Sequence, residues 1–133
     1  MKKRLVQATV LAVLALLVLA GCTFVPFSLI GTWSMSTSNG TESLTFDNQM
    51  KRFTLRAVGT VSGTWECSIT AVDRGAGHIK MTQIDTTGDL AGDFYVDGQP
   101  VYMIYDIIQG ELTVDFSSTN YPASTYYGPY FKD

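Results

Sequence analysis

The chain has 133 residues, the length of one small domain, and it carries nine Lys and Arg against twelve Asp and Glu. Three of the basic residues lie at positions 2–4, and every acidic residue lies after residue 41. The chain beyond its N-terminus is therefore acidic and has no cluster of Lys or Arg. This excludes nucleic acid as a partner, because phosphate contacts require positive charge.

The first 22 residues combine a basic start with an apolar run that ends at a cysteine. The unbroken apolar run covers residues 10–20, which is short for a membrane-spanning helix of roughly 20 residues. Leu19-Ala20-Gly21-Cys22 closes this run and resembles the lipobox of bacterial lipoproteins. The resemblance implies cleavage before Cys22 and attachment of acyl chains such as palmitate to its thiol. An uncleaved anchor helix, or a secretory signal peptide with an incidental cysteine, is the alternative.

This N-terminus predicts three parts: a lipoprotein signal peptide at 1–21 with its signal helix, a lipidated tether at 22–30 and a barrel domain at 31–133. The lipid predicts an extracytoplasmic protein of the cell envelope, on the outer membrane if the organism has one. Thr23 follows the cysteine, so the Asp of an inner-membrane retention signal is missing. Because the domain is acidic, we expect acyl chains rather than anionic headgroups to hold it at the membrane.

From residue 31 onward, apolar and polar residues alternate in short runs that predict β-strands. These runs are 31–35, 44–46, 53–58, 65–71, 78–85, 102–108 and 111–116. Turn residues separate them, and Asp97-Gly98 is the strongest hairpin signal, because both central positions of such a turn require positive φ. Helical periodicity over three turns is missing after residue 22.

The strand pattern predicts an all-β domain, a small antiparallel up-and-down barrel of about seven or eight strands, with a sandwich as the alternative. Closure removes the exposed strand edges. About eight strands enclose a lumen that holds side chains or one small ligand. The run 101–105 is apolar on both faces, so its outer face is either covered or exposed for a partner.

Gly31-Thr32-Trp33 opens the first strand and resembles the Gly-x-Trp signature of lipocalins, and the tripeptide recurs at 63–65. The resemblance implies a lipocalin-like barrel in which Gly31 and Trp33 form a structural motif at the closed end. The open end would hold a small apolar ligand or lipid. The side chains expected to line the lumen are Phe46, Leu55, Trp65 and Ile69. The strand predicted at 111–116 departs from the family pattern, because it has no Arg to stack on Trp33.

The sequence offers few groups for chemistry, so we expect no enzyme, no metal site and no cofactor beyond the lipid on Cys22. His78 is the only histidine, which excludes a His-rich zinc site. Four aspartates recur every four residues between 85 and 97, but they lack the alternating pattern of a compact calcium loop and are typical of turns. Cys67 has no partner thiol if Cys22 is lipidated, and it is predicted to be a small buried hydrophobic residue.

The C-terminal stretch from 121 to 131 contains four tyrosines and a phenylalanine. It either completes the core or offers a recognition surface, since Tyr combines a large apolar area with a polar tip. We expect a membrane-anchored bacterial lipoprotein whose barrel binds a small apolar ligand or lipid. The alternative is a protein-binding envelope module, an inhibitor or assembly partner, that uses this Tyr-rich tail or the strand 101–108.

Overall fold

The computed structural model describes residues 28–92 and 97–133, so the predicted signal peptide and Cys22 lie outside the described residues. Within these ranges, eight strands and one short 3₁₀ helix (Asp89–Gly92) follow one another along the chain. The strands are β1 (Gly31–Thr37), β2 (Gly40–Phe46), β3 (Arg52–Gly59), β4 (Gly63–Asp73), β5 (His78–Gly88), β6 (Pro100–Ile108), β7 (Glu111–Ser117) and β8 (Tyr127–Lys132).

Each strand pairs antiparallel with the next one in the chain, and β1 pairs with β8, so the sheet closes into a barrel. The closing pairs are Trp33 with Lys132 and Ser34 with Phe131. The predicted up-and-down barrel of seven or eight strands is therefore confirmed. The eighth strand comes from the Tyr-rich tail, where Gly128 and Pro129 interrupt the alternation that marks the other strands.

The up-and-down order of the strands gives the barrel two ends. We call the end at Ser28 the tether end; it also carries the turns at 47–51, 74–77 and 109–110. β1 runs from there to Thr37 at the other end, which we call the mouth. The mouth carries the turns at 38–39 and 60–62 and the 3₁₀ helix.

The barrel interior is filled by the inward-facing side chains of all eight strands. An aromatic cluster occupies its middle, consisting of Phe46, Phe53, Trp65 and Phe116, with ring centroids 5.1 to 5.8 Å apart. Aliphatic and sulfur-containing side chains pack around it. Among residues 28–92 and 97–133, the buried core runs from Leu29 to Tyr130 and forms one cluster inside the barrel.

Two β-bulges change which residues face inward on β4 and β5. Ile69 lies opposite Met81, whereas Ala71 lies opposite Lys80, so Thr70 is the extra residue on β4. An extra residue shifts the side-chain phase of a strand by one position. Ala71 is therefore exposed, contrary to the alternation predicted for 65–71, because that alternation assumes an uninterrupted strand.

The outer face of β6 is covered by the loop at 118–126. Tyr121 of this loop stacks on the His78 ring at 4.0 Å and meets the Tyr102 ring edge-on at 5.1 Å. Ile104 faces outward from β6, yet only 8% of it is exposed. The outer face of the apolar run 101–105 is therefore covered rather than exposed for a partner. Tyr121 also covers His78, which is half-buried.

Candidate functional site

Two of the depressions on the described surface differ in their lining. The larger, about 800 Å³, lies near the tether end, between the turn at 74–77, β6 and residues 122–125. Its lining mixes charged side chains such as Arg74 and Asp106 with apolar ones such as Ile107. The smaller, about 270 Å³, lies at the mouth, where inward-facing apolar side chains of β3 line it. We take this mouth cavity as the candidate site for an apolar ligand.

Five apolar side chains line the mouth cavity: Leu55, Ala57, Val58, Val61 and Leu90. Leu55 and Ala57 face inward from β3, and Leu90 reaches over from the 3₁₀ helix. Leu90 is 5% exposed, and it packs above Gly63, where a Cβ atom would come within 3.2 Å of its Cγ atom. The lack of a side chain at Gly63 therefore allows Leu90 to close over this side of the mouth.

The 3₁₀ helix that carries Leu90 is held by hydrogen bonds to the turn between β3 and β4. The backbone N–H of Ser62 donates to the Asp89 carboxylate at 2.8 Å. The backbone N–H of Asp89 donates to the Ser62 carbonyl, also at 2.8 Å. These two bonds fix the position of the helix, so one wall of the mouth cavity is built by a segment outside the strands.

One carboxylate faces into the cavity from β2. Glu42 lies in the same inward phase as the buried Leu44 and Phe46, and the Tyr130 hydroxyl donates a short hydrogen bond to it. Burial, followed by this hydrogen bond to Glu42, raises the pKa of Tyr130 well above its ordinary value. The tyrosine is therefore a stable donor at neutral pH, and it orients the carboxylate at the cavity.

The four side chains predicted to line the lumen occupy different levels of the barrel. Leu55 lines the mouth cavity. Phe46 and Trp65 lie below it in the aromatic cluster, where each is at most 1% exposed. Ile69 is 9% exposed and lies toward the tether end of β4. The structure thus brings one of the four to the cavity, and the prediction omitted Glu42, Ala57 and Leu90, which are also there.

The opposite end of the barrel is closed around Trp33, which is 1% exposed. Its indole N–H donates to the Leu29 carbonyl at 3.0 Å. The ammonium of Lys132 lies 5.3 Å from the centre of the Trp33 ring and donates to the Ser28 carbonyl at 2.8 Å. Lys132 of β8 thus packs over Trp33. In lipocalins an arginine stacks on this tryptophan, and the strand at 111–116 has no arginine for that contact. This end of the barrel also anchors the start of the described chain.

Cys67 and Asp97, which the sequence analysis considered for chemistry, make structural contacts in the barrel. Burial raises the pKa of the Cys67 thiol to about 12, so this free cysteine is protonated at neutral pH. Asp97 accepts a hydrogen bond from the buried Gln83 amide at 3.2 Å. In residues 28–92 and 97–133, no three His, Cys, Asp or Glu side chains lie close enough together to hold a metal ion. No helix in those residues is long and apolar enough to cross a membrane.

Comparisons with known proteins add no relative to this description. No protein-family model matches the chain, no curated protein matches it, and no solved structure matches it. The case for a function therefore rests on the N-terminal sequence, on the mouth cavity and on the distribution of charge over the barrel.

Proposed function

We propose that the protein is a lipid-anchored, non-enzymatic binding protein of the bacterial cell envelope, with a lipocalin-like barrel that holds a small apolar ligand at its mouth. The observation that carries the proposal is the cavity of about 270 Å³ above a tightly packed barrel interior. Ligand sites are typically concave, mostly apolar and furnished with a few polar groups. Leu55, Ala57 and Leu90 supply the apolar part, and Glu42 supplies the polar one.

The size of the cavity limits the ligand. Drug-sized molecules occupy sites of roughly 300–1,000 Å³, and the mouth cavity lies just below that range. The aromatic cluster prevents a long chain from entering deeper, because Phe46, Phe53 and Trp65 leave almost no exposed surface in the barrel interior. The ligand is therefore a compact molecule rather than a two-chain lipid.

The anchor and the mouth lie at opposite ends of the barrel. Six residue steps separate Cys22 from Ser28, and an extended chain spans at most about 3.6 Å per residue, so Ser28 lies within roughly 20 Å of the lipidated residue. β1 then leads from the tether end to Thr37, which lines the mouth cavity. With the tether end at the membrane, the mouth opens away from it, and the ligand enters from the aqueous side.

The alternative of a protein-binding module finds less support in the surfaces proposed for it. Most of the Tyr-rich tail belongs to β8 or to the loop at 118–126, and Tyr130 is 1% exposed in the core. The outer face of β6 is covered by that same loop. Tyr126, Tyr127 and Phe131, and Ile108 at the end of β6, are more than half exposed and remain accessible to a protein partner.

A fluorescence titration tests ligand binding at the mouth. The mature chain, residues 22–133 with Cys22→Ser to avoid lipid, is titrated with the apolar probe N-phenyl-1-naphthylamine. Trp33 and Trp65 are the only tryptophans, and Trp65 is the register partner of Leu55, so energy transfer from tryptophan reports a probe in the cavity. We expect saturable binding with one probe per chain.

A matched pair of variants locates the probe. Ala57→Phe fills the mouth and should weaken binding at least tenfold. Ala71→Phe makes the same chemical change at an exposed position near the tether end, adds no tryptophan either, and should leave the affinity unchanged. Absence of saturable binding to the unmodified barrel, or equal affinity of the two variants in folded form, would contradict the proposal.

A further inference from the structure

The charge at the mouth indicates which class of ligand fits, beyond the limit that the size of the cavity sets. Among the described residues that line the cavity, Glu42 is the one with an ionisable side chain, and Lys and Arg are missing from that lining. The register partners of Glu42 are Met35 on β1 and Ala57 on β3, which are both apolar. The carboxylate therefore has a hydrogen bond from Tyr130 and no cation beside it within the described lining.

A half-buried carboxylate between apolar neighbours is costly unless something compensates its charge. The Tyr130 hydroxyl provides one donor to one carboxylate oxygen. A carboxylate can accept bonds at both of its oxygens, so a ligand donor can use the other. The Glu42 carboxylate thus faces an apolar cavity and can accept a further hydrogen bond. A ligand with a positive group would donate that bond and compensate the charge.

The wider charge distribution favours the same sign of ligand. All six basic residues after residue 22 lie in the described part of the chain. Four of them are at the tether end, where four acidic residues balance their charge: Lys51, Arg52, Arg74 and Lys132 against Asp47, Asp73, Glu111 and Asp133. Near the mouth, Asp85 and Asp89 lie toward the end of β5 and in the 3₁₀ helix. A mouth surrounded by negative charge raises the local concentration of cations and lowers that of anions.

We propose that the mouth cavity binds small apolar cations, such as amines with a compact hydrocarbon body, and discriminates against fatty-acid-like anions. The hydrocarbon body lies against Leu55, Ala57 and Leu90, and the ammonium group donates to the Glu42 carboxylate. This inference rests on the proposed function, since it names the ligand class of the same cavity. It assigns to Glu42 the role of selecting the charge of the ligand.

Three probes with the same hydrocarbon body test the selectivity: 4-phenylbutylamine, 4-phenylbutan-1-ol and 5-phenylpentanoate. They are cationic, neutral and anionic at pH 7. Dissociation constants are measured at low ionic strength by nuclear magnetic resonance titration of the mature chain with Cys22→Ser. Opposite charges attract by a few kcal/mol at close range near a protein surface, less where solvent screens them. We therefore expect the amine to bind about tenfold or more tightly than the carboxylate, with the alcohol between them.

Two variants assign the selectivity to one residue. Glu42→Gln keeps the shape of the side chain and an acceptor for Tyr130, so it should reduce the preference for the amine to less than threefold without changing the affinity for the alcohol. Glu111→Gln makes the same chemical change at an exposed position at the tether end, outside the cavity lining, and should keep the preference. A thermal unfolding curve for each variant establishes that it is folded.

Each outcome decides between the two proposals. Binding of the alcohol with equal affinities for the amine and the carboxylate overturns the cation inference and leaves the apolar site intact. Failure of all three probes to bind overturns the proposed function as well. A preference that persists in Glu42→Gln shows that another group selects the charge, which also overturns the inference. If Glu42→Gln does not fold, the ratio of affinities in the parent chain still decides.

Discussion

Replacing Trp33 by alanine is the most direct test of how the closed end of the barrel is held together. Trp33 is 1% exposed, its indole N–H donates to the Leu29 carbonyl at 3.0 Å, and the Lys132 ammonium lies over its ring. The substitution removes the buried ring, the hydrogen bond and the cation–π contact together. It also leaves the Leu29 carbonyl without its donor.

The expected cost follows from these contacts. Large-to-alanine substitutions of buried aromatic residues cost about 3–5 kcal/mol, because the lost transfer free energy is added to that of the cavity left behind. Domains of this size are stable by only about 5–15 kcal/mol, so Trp33→Ala should remove about a fifth or more of the free energy of unfolding. Trp33→Phe keeps most of the ring and loses the indole donor, which should cost about 1–2 kcal/mol.

The assay is urea denaturation of the mature chain with Cys22→Ser, followed by the fluorescence of Trp65, which all variants retain. Glu66→Ala is the control, since Glu66 faces outward on the half-exposed side of β4 and should cost under about 1 kcal/mol. Lys132→Met keeps an aliphatic chain over the ring and should also cost about 1 kcal/mol or less. If Trp33→Ala and Glu66→Ala shift the midpoint equally, the assignment of Trp33 to the closed end is wrong.

Three further predictions follow from the anchor, the tail and the buried thiol. Cys22→Ser in the full chain should release the protein from membranes or leave an unprocessed precursor. If the variant is cleaved normally and still sediments with the membrane fraction, the lipobox interpretation is wrong. Deletion of 121–133 removes β8 and should abolish cooperative unfolding, whereas Tyr126→Ser, at a side chain 82% exposed, should change the free energy of unfolding by less than about 0.5 kcal/mol. The Cys67 thiol should react with a thiol reagent at pH 8 only after denaturation. Folding raises the pKa of the Cys67 thiol from 9.0 to about 12, so ionisation of this group destabilises the folded state. Its contribution to the free energy of unfolding should be complete below pH 9 and be lost as the pH rises toward 12. Cys67→Ala should therefore lose less free energy of unfolding over that window.

Seven of the eight strands could be predicted from the sequence because their side chains largely alternate between a filled interior and solvent, with the two bulges of β4 and β5 as local interruptions. The alternation at 53–58 and 111–116 agrees with β3 and β7 almost residue for residue. β8 could not be recognised, because Gly128 and Pro129 stand where alternation would mark a strand. Its place is set by pairing with β1 and β7, which are distant in sequence. Closure of the barrel was predicted from the need to hide strand edges rather than from this strand.

The candidate site was less predictable than the fold, and the reasons differ from residue to residue. Glu42 could have been identified, since it lies two residues before Leu44 in the same phase of β2 and is the one acid on that inward face. Leu90 carried no such signal, because it lies in a four-residue 3₁₀ helix between two glycines, Gly88 and Gly92, where no alternation marks an inward face. Phe46 and Trp65 were correctly predicted to face inward, but their sequence positions cannot tell a lined lumen from a filled one. That distinction depends on how four aromatic rings pack across β2, β3, β4 and β7.

The two ends of the barrel differ in the same direction by three independent criteria. The tether end has the start of the described chain, the closed packing around Trp33 and a balance of basic and acidic residues. The mouth has the cavity that Leu90 lines and a carboxylate without a neighbouring cation in its described lining. The proposed anchor at the tether end would therefore direct the acidic, open end into the aqueous space of the envelope. In the proposed arrangement the acyl chains would attach the protein to the membrane and the barrel would select the ligand, so a change at Cys22 and a change at Glu42 should affect separate properties of the protein.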